Sequence, residues 1–196
     1  LFSWLVLIFI SGISFVFLIS LFFTLILLFS YLILFVPKFS YIKSRIFSFF
    51  DPETGTHNFQ SDKAIESIVS GGFFGKGIGE GTLKNRVPEA HTDYIISVIS
   101  EEFGIIAIIL ILFLFLILIH AVFKKVNFEN DDRSKLVLVG CVSLILMQVT
   151  IHVGVNIRLF PTTGMTLPFI SYGGSSIIGI SIISGIILNL TKRKID

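Results

Sequence analysis

The chain has 196 residues, 54% of them hydrophobic and 22 of them Phe, with a mean hydropathy of +0.93; a soluble domain is about 45–50% apolar. Its net charge is only +2 and its basic residues form no stripe, which excludes a nucleic-acid-binding surface. The single Cys141 lies inside an apolar run, so there is no disulfide framework and nothing to mark a redox compartment. The composition is that of an all-α polytopic membrane protein.

The first 36 residues are too long an apolar run for one crossing, which takes about 20 residues. The small cluster Ser11-Gly12-Ile13-Ser14 divides them into a truncated helix and a full one. No basic segment or cleavage site precedes them, so the start does not resemble a signal peptide. The chain reads as the C-terminal portion of a longer membrane protein. Pro37 closes the second helix, because the residue before a proline is pushed out of helical geometry. Residues 37–100 form a long mixed segment. Residues 101–196 then carry three more spans, at 103–123, 136–156 and 167–190, the last interrupted near its start by Ser171-Tyr172-Gly173-Gly174-Ser175-Ser176. The expectation is five membrane helices, the first cut short, with one large loop.

Lys and Arg near helix ends set orientation. The short loop 124–135 carries Lys124, Lys125, Arg133 and Lys135, and the tail carries Lys192, Arg193 and Lys194. In a five-span arrangement both fall on one side, the cytoplasmic one. The loop 37–100 then lies outside, and it is the soluble part large enough to build a site.

That loop contains Gly71-Gly72-Phe73-Phe74-Gly75-Lys76-Gly77-Ile78-Gly79-Glu80-Gly81. It is no nucleotide loop: Gly77 rather than Ser or Thr follows Lys76, and no strand precedes it. Two accounts remain, a turn at the membrane surface or close backbone approach to a phosphate, with Lys76, Lys84 and Arg86 supplying charge. Beyond it, Pro88-Glu89-Ala90-His91-Thr92-Asp93-Tyr94 and Glu101-Glu102-Phe103-Gly104 concentrate ionisable groups at the edge of an apolar segment, where an unpartnered charge is costly. Asp93 falls at a helix N-terminus, which suits a capping carboxylate. Partial burial would instead raise its pKa toward the range of a general base. His91 reads as an interfacial side chain. Glu101 and Glu102 follow Asp93 by about two helical turns, so one should share its face, and pairing with Lys or Arg elsewhere suits them better than chemistry. No His-Glu-x-x-His, Cys/His cluster or Gly-x-Ser-x-Gly is present, which leaves zinc and serine hydrolase readings weak.

Arg158 follows a helix end, and Pro161 to Ser176 reads as a non-helical stretch that re-enters the membrane. Irregular backbone at that depth is tolerated where it is buried in protein or lines a polar cavity. His152, inside the preceding span, is either a helix–helix hydrogen-bonder, the favoured reading, or a cavity group.

Taken together, Gly71-Gly72 through Gly79, the Pro88-to-Tyr94 motif, Glu101-Glu102-Phe103-Gly104 and Pro161 through Ser176 resemble the SEDS family of cell-wall proteins over essentially the whole chain. Arg45 and Phe50-Asp51-Pro52 fit the family's entry into its large outer loop, and Phe59-Gln60 its Tyr-Gln. Ala90 before His-Thr-Asp resembles the division branch rather than the elongation branch. His152 stands where that branch usually has Asn, Thr163 where Lys is common, and Tyr94-Ile95-Ile96 replaces Phe-Ile-Phe; none of these touches the acidic motif.

The resemblance implies ten membrane helices, of which this chain covers the last five, in the bacterial cytoplasmic membrane at the division septum, with the site on the outer side. It implies a peptidoglycan glycosyltransferase that polymerises lipid II, a disaccharide-pentapeptide on undecaprenyl pyrophosphate. It implies Asp93 as the catalytic residue. Arg45, Lys76, Lys84, Arg86, His91, Ser171 and Ser175 are candidates to hold pyrophosphate or sugar. Glu89, Glu101, Glu102, Pro161, Gly164, Pro168, Gly173 and Gly174 are supporting parts. The expected partners are lipid II, a class B penicillin-binding protein, other division proteins and membrane lipids, with no nucleic acid. No cofactor is required by the motifs, although a divalent cation (Mg or Mn) would suit a pyrophosphate leaving group. A lipid II flippase, an elongation-type polymerase and a non-catalytic scaffold are the rival readings.

Overall fold

The computed structural model describes residues 2–44, 56–87 and 90–192, without the side chains of Phe2, Trp4, Phe15, Thr56, His57, Asn58, Lys84 and Asn85. Arg45, Phe50-Asp51-Pro52, Pro88, Glu89, Arg193 and Lys194 lie outside the described residues. Among the described residues the fold is helical throughout. Helix α1 spans Phe2–Ile10 and α2 Phe15–Phe35, with the turn between them at residues 11–14; Pro37 opens a short 3-10 turn. Then come α3 (Thr56–Gly71), α4 (Leu83–Arg86), α5 (Ile95–Phe128), α6 (Asp132–Asn156) and α7 (Gly174–Thr191). Among the described residues four helices, α2, α5, α6 and α7, are long and apolar enough to cross a membrane, while the nine-residue α1 is too short for that.

Three features depart from the periodicity. First, α3 is a sixteen-residue helix inside the mixed segment. Its buried positions are Ser61, Ala64, Ser67 and Gly71, one helical face of small residues rather than an apolar stripe, so hydrophobic spacing does not reveal it. That face allows close packing on α5: a Cβ on Gly71 would lie 2.0 Å from the Ser100 carbonyl oxygen. Second, α5 starts at Ile95 rather than 103, and Gly104 breaks it with φ 80 and ψ 175, a conformation open essentially to glycine. Third, α7 starts at Gly174, so residues 167–173 of the expected last span are not helical, and Gly174, Ser175 and Ser176 belong to its first turn. An extended Gly173 (φ −179) makes that entry.

The membrane helices pack as α5 on α6 and α6 on α7, with α1 laid along α6. Leu7 reaches 3.4 Å from where a Gly140 Cβ would stand. Ile108, Phe115, Val122, Leu138, Ile145 and Ile180 form the core between α5, α6 and α7. By contrast, α2 touches only α1 and the turn that follows it among the described elements. Hydroxyls inside the spans bond back to their own helix, as Thr24 Oγ1 to the Ser20 carbonyl (2.8 Å) and Thr150 Oγ1 to the Leu146 carbonyl (2.8 Å), which satisfies them without water. A second cluster, of Ala64, Leu83, Val87, Ala90, Tyr94, Val98 and Val155, joins α3 and α4 to the start of α5 and the end of α6. The candidate site is built on this end.

Candidate active site

The glycine-dense loop after α3 approaches backbone, and the backbone is its own. The break at Gly104 frees carbonyls in the preceding turn of α5, and loop amides take them. Lys76 N–H donates to the Glu101 carbonyl (2.9 Å), Gly77 N–H to the Glu102 carbonyl (3.1 Å), and Ile105 N–H returns a bond to the Gly72 carbonyl (2.9 Å). A Cβ on Gly75 would sit 2.2 Å from the Glu102 oxygen, and one on Gly104 2.1 Å from the Phe73 oxygen. Glycine is required on both sides of this clasp by contact alone. The amides of Lys76 and Gly77 are therefore committed to helix carbonyls.

Glu101 sits beneath the clasp at 1% exposure. Its Oε2 accepts from Thr82 N–H (3.0 Å) and Leu83 N–H (3.0 Å), and its Oε1 from Lys76 Nζ (2.9 Å) and Thr82 Oγ1 (3.1 Å). A buried carboxylate with four donors is fully satisfied in its charged form. It staples the glycine loop and the start of α4 to α5. Lys76, one of the predicted phosphate ligands, spends its charge in this ion pair. Glu102 is half-buried beside Gly81, whose Cβ would lie 3.0 Å from Glu102 Cγ.

Asp93 lies in the turn before α5, one residue ahead of the N-cap Tyr94, which makes no side-chain cap bond. The backbone of this turn is held from two directions. From α6, the Asn156 amide donates Nδ2–H to the Asp93 carbonyl (2.9 Å) and the His152 carbonyl (2.8 Å), while Oδ1 accepts from Ser97 Oγ (2.7 Å) and Ser97 N–H (3.2 Å). From the segment after α6, Ser171 Oγ donates to the Thr92 carbonyl (2.8 Å) and accepts from Leu167 N–H (2.9 Å), and Tyr172 N–H donates to the His91 carbonyl (3.1 Å). Beneath it Tyr94 is fully buried, its hydroxyl 3.3 Å from Ser61 Oγ, and burial pushes the phenol's pKa up. The Asp93 carboxylate itself is half-buried, and a Cβ on Gly164 would lie 3.9 Å from its Oδ2.

Residues 157–173 fold back against this turn. Arg158, at positive φ, pairs with Asp62 of α3, and His152 Nδ1 lies 2.8 Å from the Met165 carbonyl, which makes His152 a tie between α6 and the segment. Phe169 reaches Phe115, with ring centroids 6.4 Å apart. A straight helix would place Ile95 and Phe115 about 30 Å apart. Phe115 and Thr92 contact residues only two apart, Phe169 and Ser171, and Gly104 kinks α5 between them. Beside Gly164 a groove of about 370 Å³ runs between α6, residues 164–166 and α7.

The predicted residues therefore divide. Gly164 approaches the Asp93 carboxylate, Ser171 ties the neighbouring Thr92, and Pro168 is buried. His91 contributes its backbone carbonyl while its side chain is exposed, and Arg86 is exposed at the end of α4. Ser175 lines the groove from the first turn of α7. Glu101 contacts residues 76, 82 and 83 rather than the surroundings of Asp93. Among the described residues, no three His, Cys, Asp or Glu side chains converge as metal ligands. Asn156 and Ser97 were not singled out, although Gln148, His152 and Asn156 recur every four residues and mark a polar stripe on one face of an apolar helix.

Comparison with known proteins agrees with this architecture. A family profile described as cell cycle protein, FtsW/RodA/SpoVE, matches residues 1–195. A protein of Enterococcus hirae named probable peptidoglycan glycosyltransferase FtsW is 37% identical over 160 residues, 80% of this chain and 40% of the relative. Its Caulobacter vibrioides namesake is 38% identical over 158 residues, 80% of this chain and 40% of the relative. Stage V sporulation protein E of Bacillus subtilis is 37% identical over 155 residues, 78% of this chain and 42% of the relative. A solved structure of a peptidoglycan synthase complex, described as coordinating polymerization and crosslinking, superposes with a TM-score of 0.75 at 27% identity, covering 97% of this chain and 52% of that one. The chain thus spans about two-fifths of the length of the curated relatives it matches. With a profile match from end to end and these relatives, the chain belongs to the FtsW/RodA/SpoVE family of cell cycle proteins.

Proposed function

We propose that this chain is the site-bearing half of a membrane-embedded peptidoglycan glycosyltransferase that extends glycan strands from lipid II, working at division with a class B penicillin-binding protein. The observation that carries it is the immobilised turn at Asp93: a half-buried carboxylate whose backbone is tied by Asn156 and flanked by ties from Ser171 and Tyr172, beside a partly polar groove. A group that must take a proton in one geometry benefits from such positioning.

In this reading the acceptor sugar's 4-hydroxyl gives its proton to Asp93 as its oxygen bonds to the donor's anomeric carbon. The bond from that carbon to the diphosphate breaks, and undecaprenyl pyrophosphate leaves. A β-1,4 bond from an α-linked donor is a single inverting displacement, for which one base suffices; retention would need a second, nucleophilic carboxylate. Lys76 is held by Glu101, so the leaving diphosphate draws on Arg86, Lys84 or Arg45 instead. The prenyl chain stays in the bilayer, with the site on its outer face.

The test uses the full-length protein reconstituted with its transpeptidase and labelled lipid II. Asp93→Asn, folded and partner-bound, is expected to lose about 10²–10⁴-fold in polymerisation rate. A wild-type rate would refute the assignment, and translocation of lipid II without polymer would favour a flippase.

A further inference from the structure

Among the described residues, none that lines the groove beside Asp93 is charged. The groove is walled by Gln148 of α6, Gly164 and Thr166 of the folded-back segment, and Ser175, Ser176 and Ile180 of α7, among other uncharged residues. Its polar atoms are not equally committed. The Thr166 hydroxyl donates to Ser176 Oγ at 2.5 Å. Gln148 Oε1, in contrast, is buried with no hydrogen-bond partner. Gln148 lies eight residues before the end of α6, about 12 Å inward along the helix, and an amide oxygen unpaired at that depth is unfavourable unless something donates to it. Three polar side chains share that helix face. Asn156 ties down the Asp93 turn, His152 ties the segment at Met165 through Nδ1 and leaves Nε2 buried and unpaired, and Gln148 lines the groove with its Oε1 buried and unpaired.

We propose that this groove is the subsite for an uncharged sugar ring of the lipid-linked substrate, with the Gln148 amide and the Ser175 hydroxyl hydrogen-bonding its ring hydroxyls; the proposal rests on the glycosyltransferase reading above. Among the described residues no cation lines the groove to offset the desolvation of a diphosphate, which disfavours one there. A hydroxyl-bearing ring suits it, since it offers donors to Gln148 and Ser175 and C–H faces to Met165, Ile180 and Ile183. The volume of about 370 Å³ lies within the usual range of small-molecule sites. Gly164 belongs both to the groove and to the surroundings of Asp93, so a ring seated there lies next to the carboxylate.

The experiment is lipid II polymerisation by the full-length protein with its transpeptidase, titrated in lipid II and competed with undecaprenyl pyrophosphate, which has the same lipid and diphosphate but no sugar. Gln148→Leu is expected to raise KM roughly tenfold, the worth of one neutral hydrogen bond, with kcat within about twofold. The inhibition constant of the sugar-free competitor should not change. An unchanged KM, a loss confined to kcat, or a parallel rise in the competitor's constant would each overturn the assignment, the last by placing the lipid diphosphate in the groove. Ser175→Ala, at an exposed position, decides the matter if Gln148→Leu does not fold: a KM rise of about threefold supports the subsite, and no change refutes it. Polymerisation at the wild-type rate by Asp93→Asn would remove the underlying reading. An inactive Asp93→Asn beside an unaltered Gln148→Leu would remove only this proposal.

Discussion

Replacing Glu101 by Gln keeps shape and removes charge at the point where the glycine loop, α4 and α5 meet. If the amide oxygen takes the position of Oε2, it keeps Thr82 N–H and Leu83 N–H as donors, but the amide nitrogen then faces Lys76 Nζ, donor against donor. Each backbone bond falls from charge-assisted to neutral strength, about 1 kcal/mol apiece. The lost ion pair adds about 1 kcal/mol, discounted because Lys76 is 36% exposed and screened by water. The expected cost is thus about 3 kcal/mol. Lys76→Met should cost less, about 1 kcal/mol, because the carboxylate keeps three donors. Equilibrium unfolding of the reconstituted full-length protein, followed by circular dichroism, measures both. If Glu101→Gln costs no more than Lys76→Met, the backbone bonds are not what hold this carboxylate, and the staple account is wrong.

Gly104→Ala forces a side chain into φ 80 and ψ 175 and against the Phe73 carbonyl; we expect a loss of about 3 kcal/mol or more, and a thermal midpoint within a degree of wild type would contradict the clasp. Asn156→Ala strands the Asp93 carbonyl and the Ser97 hydroxyl while leaving the carboxylate in place. Polymerisation should fall about tenfold or more through kcat, and an effect on KM alone would show that Asn156 does not position Asp93.

Much of the architecture was legible because membrane helices announce themselves locally. The turn at residues 11–14, the end of α2 before Pro37 and the apolar bodies of α5 and α6 follow from composition and proline geometry. The start of α7 was legible in part: the reading of residues 161–176 as non-helical holds up to Gly173, while the expected span from 167 does not. Leu167 to Ile170 is apolar enough for a span, yet Ser171 spends its hydroxyl on Thr92 and Leu167, and Tyr172 spends its amide on His91. Helix α3 was hidden because its buried face is Ser61, Ala64, Ser67 and Gly71, chosen for closeness rather than hydrophobicity. The pairing expected of Glu101 with a Lys or Arg elsewhere is found at Lys76, but the sequence did not show that the carboxylate is buried under two backbone amides, away from Asp93.

By itself the sequence determined the class of protein, the helices that suit a bilayer and the motifs that carry the family. Each depends on residues close together in the chain, and a lipid environment makes apolar length decisive. Only the tertiary structure decided what the polar residues do. The loop glycines meet α5 because Gly104 opens its backbone, and Lys76 meets Glu101 across 25 positions. Asn156 meets Asp93 across 63. Hydrogen-bond partners that far apart are set by how helices pack, and no local periodicity encodes them.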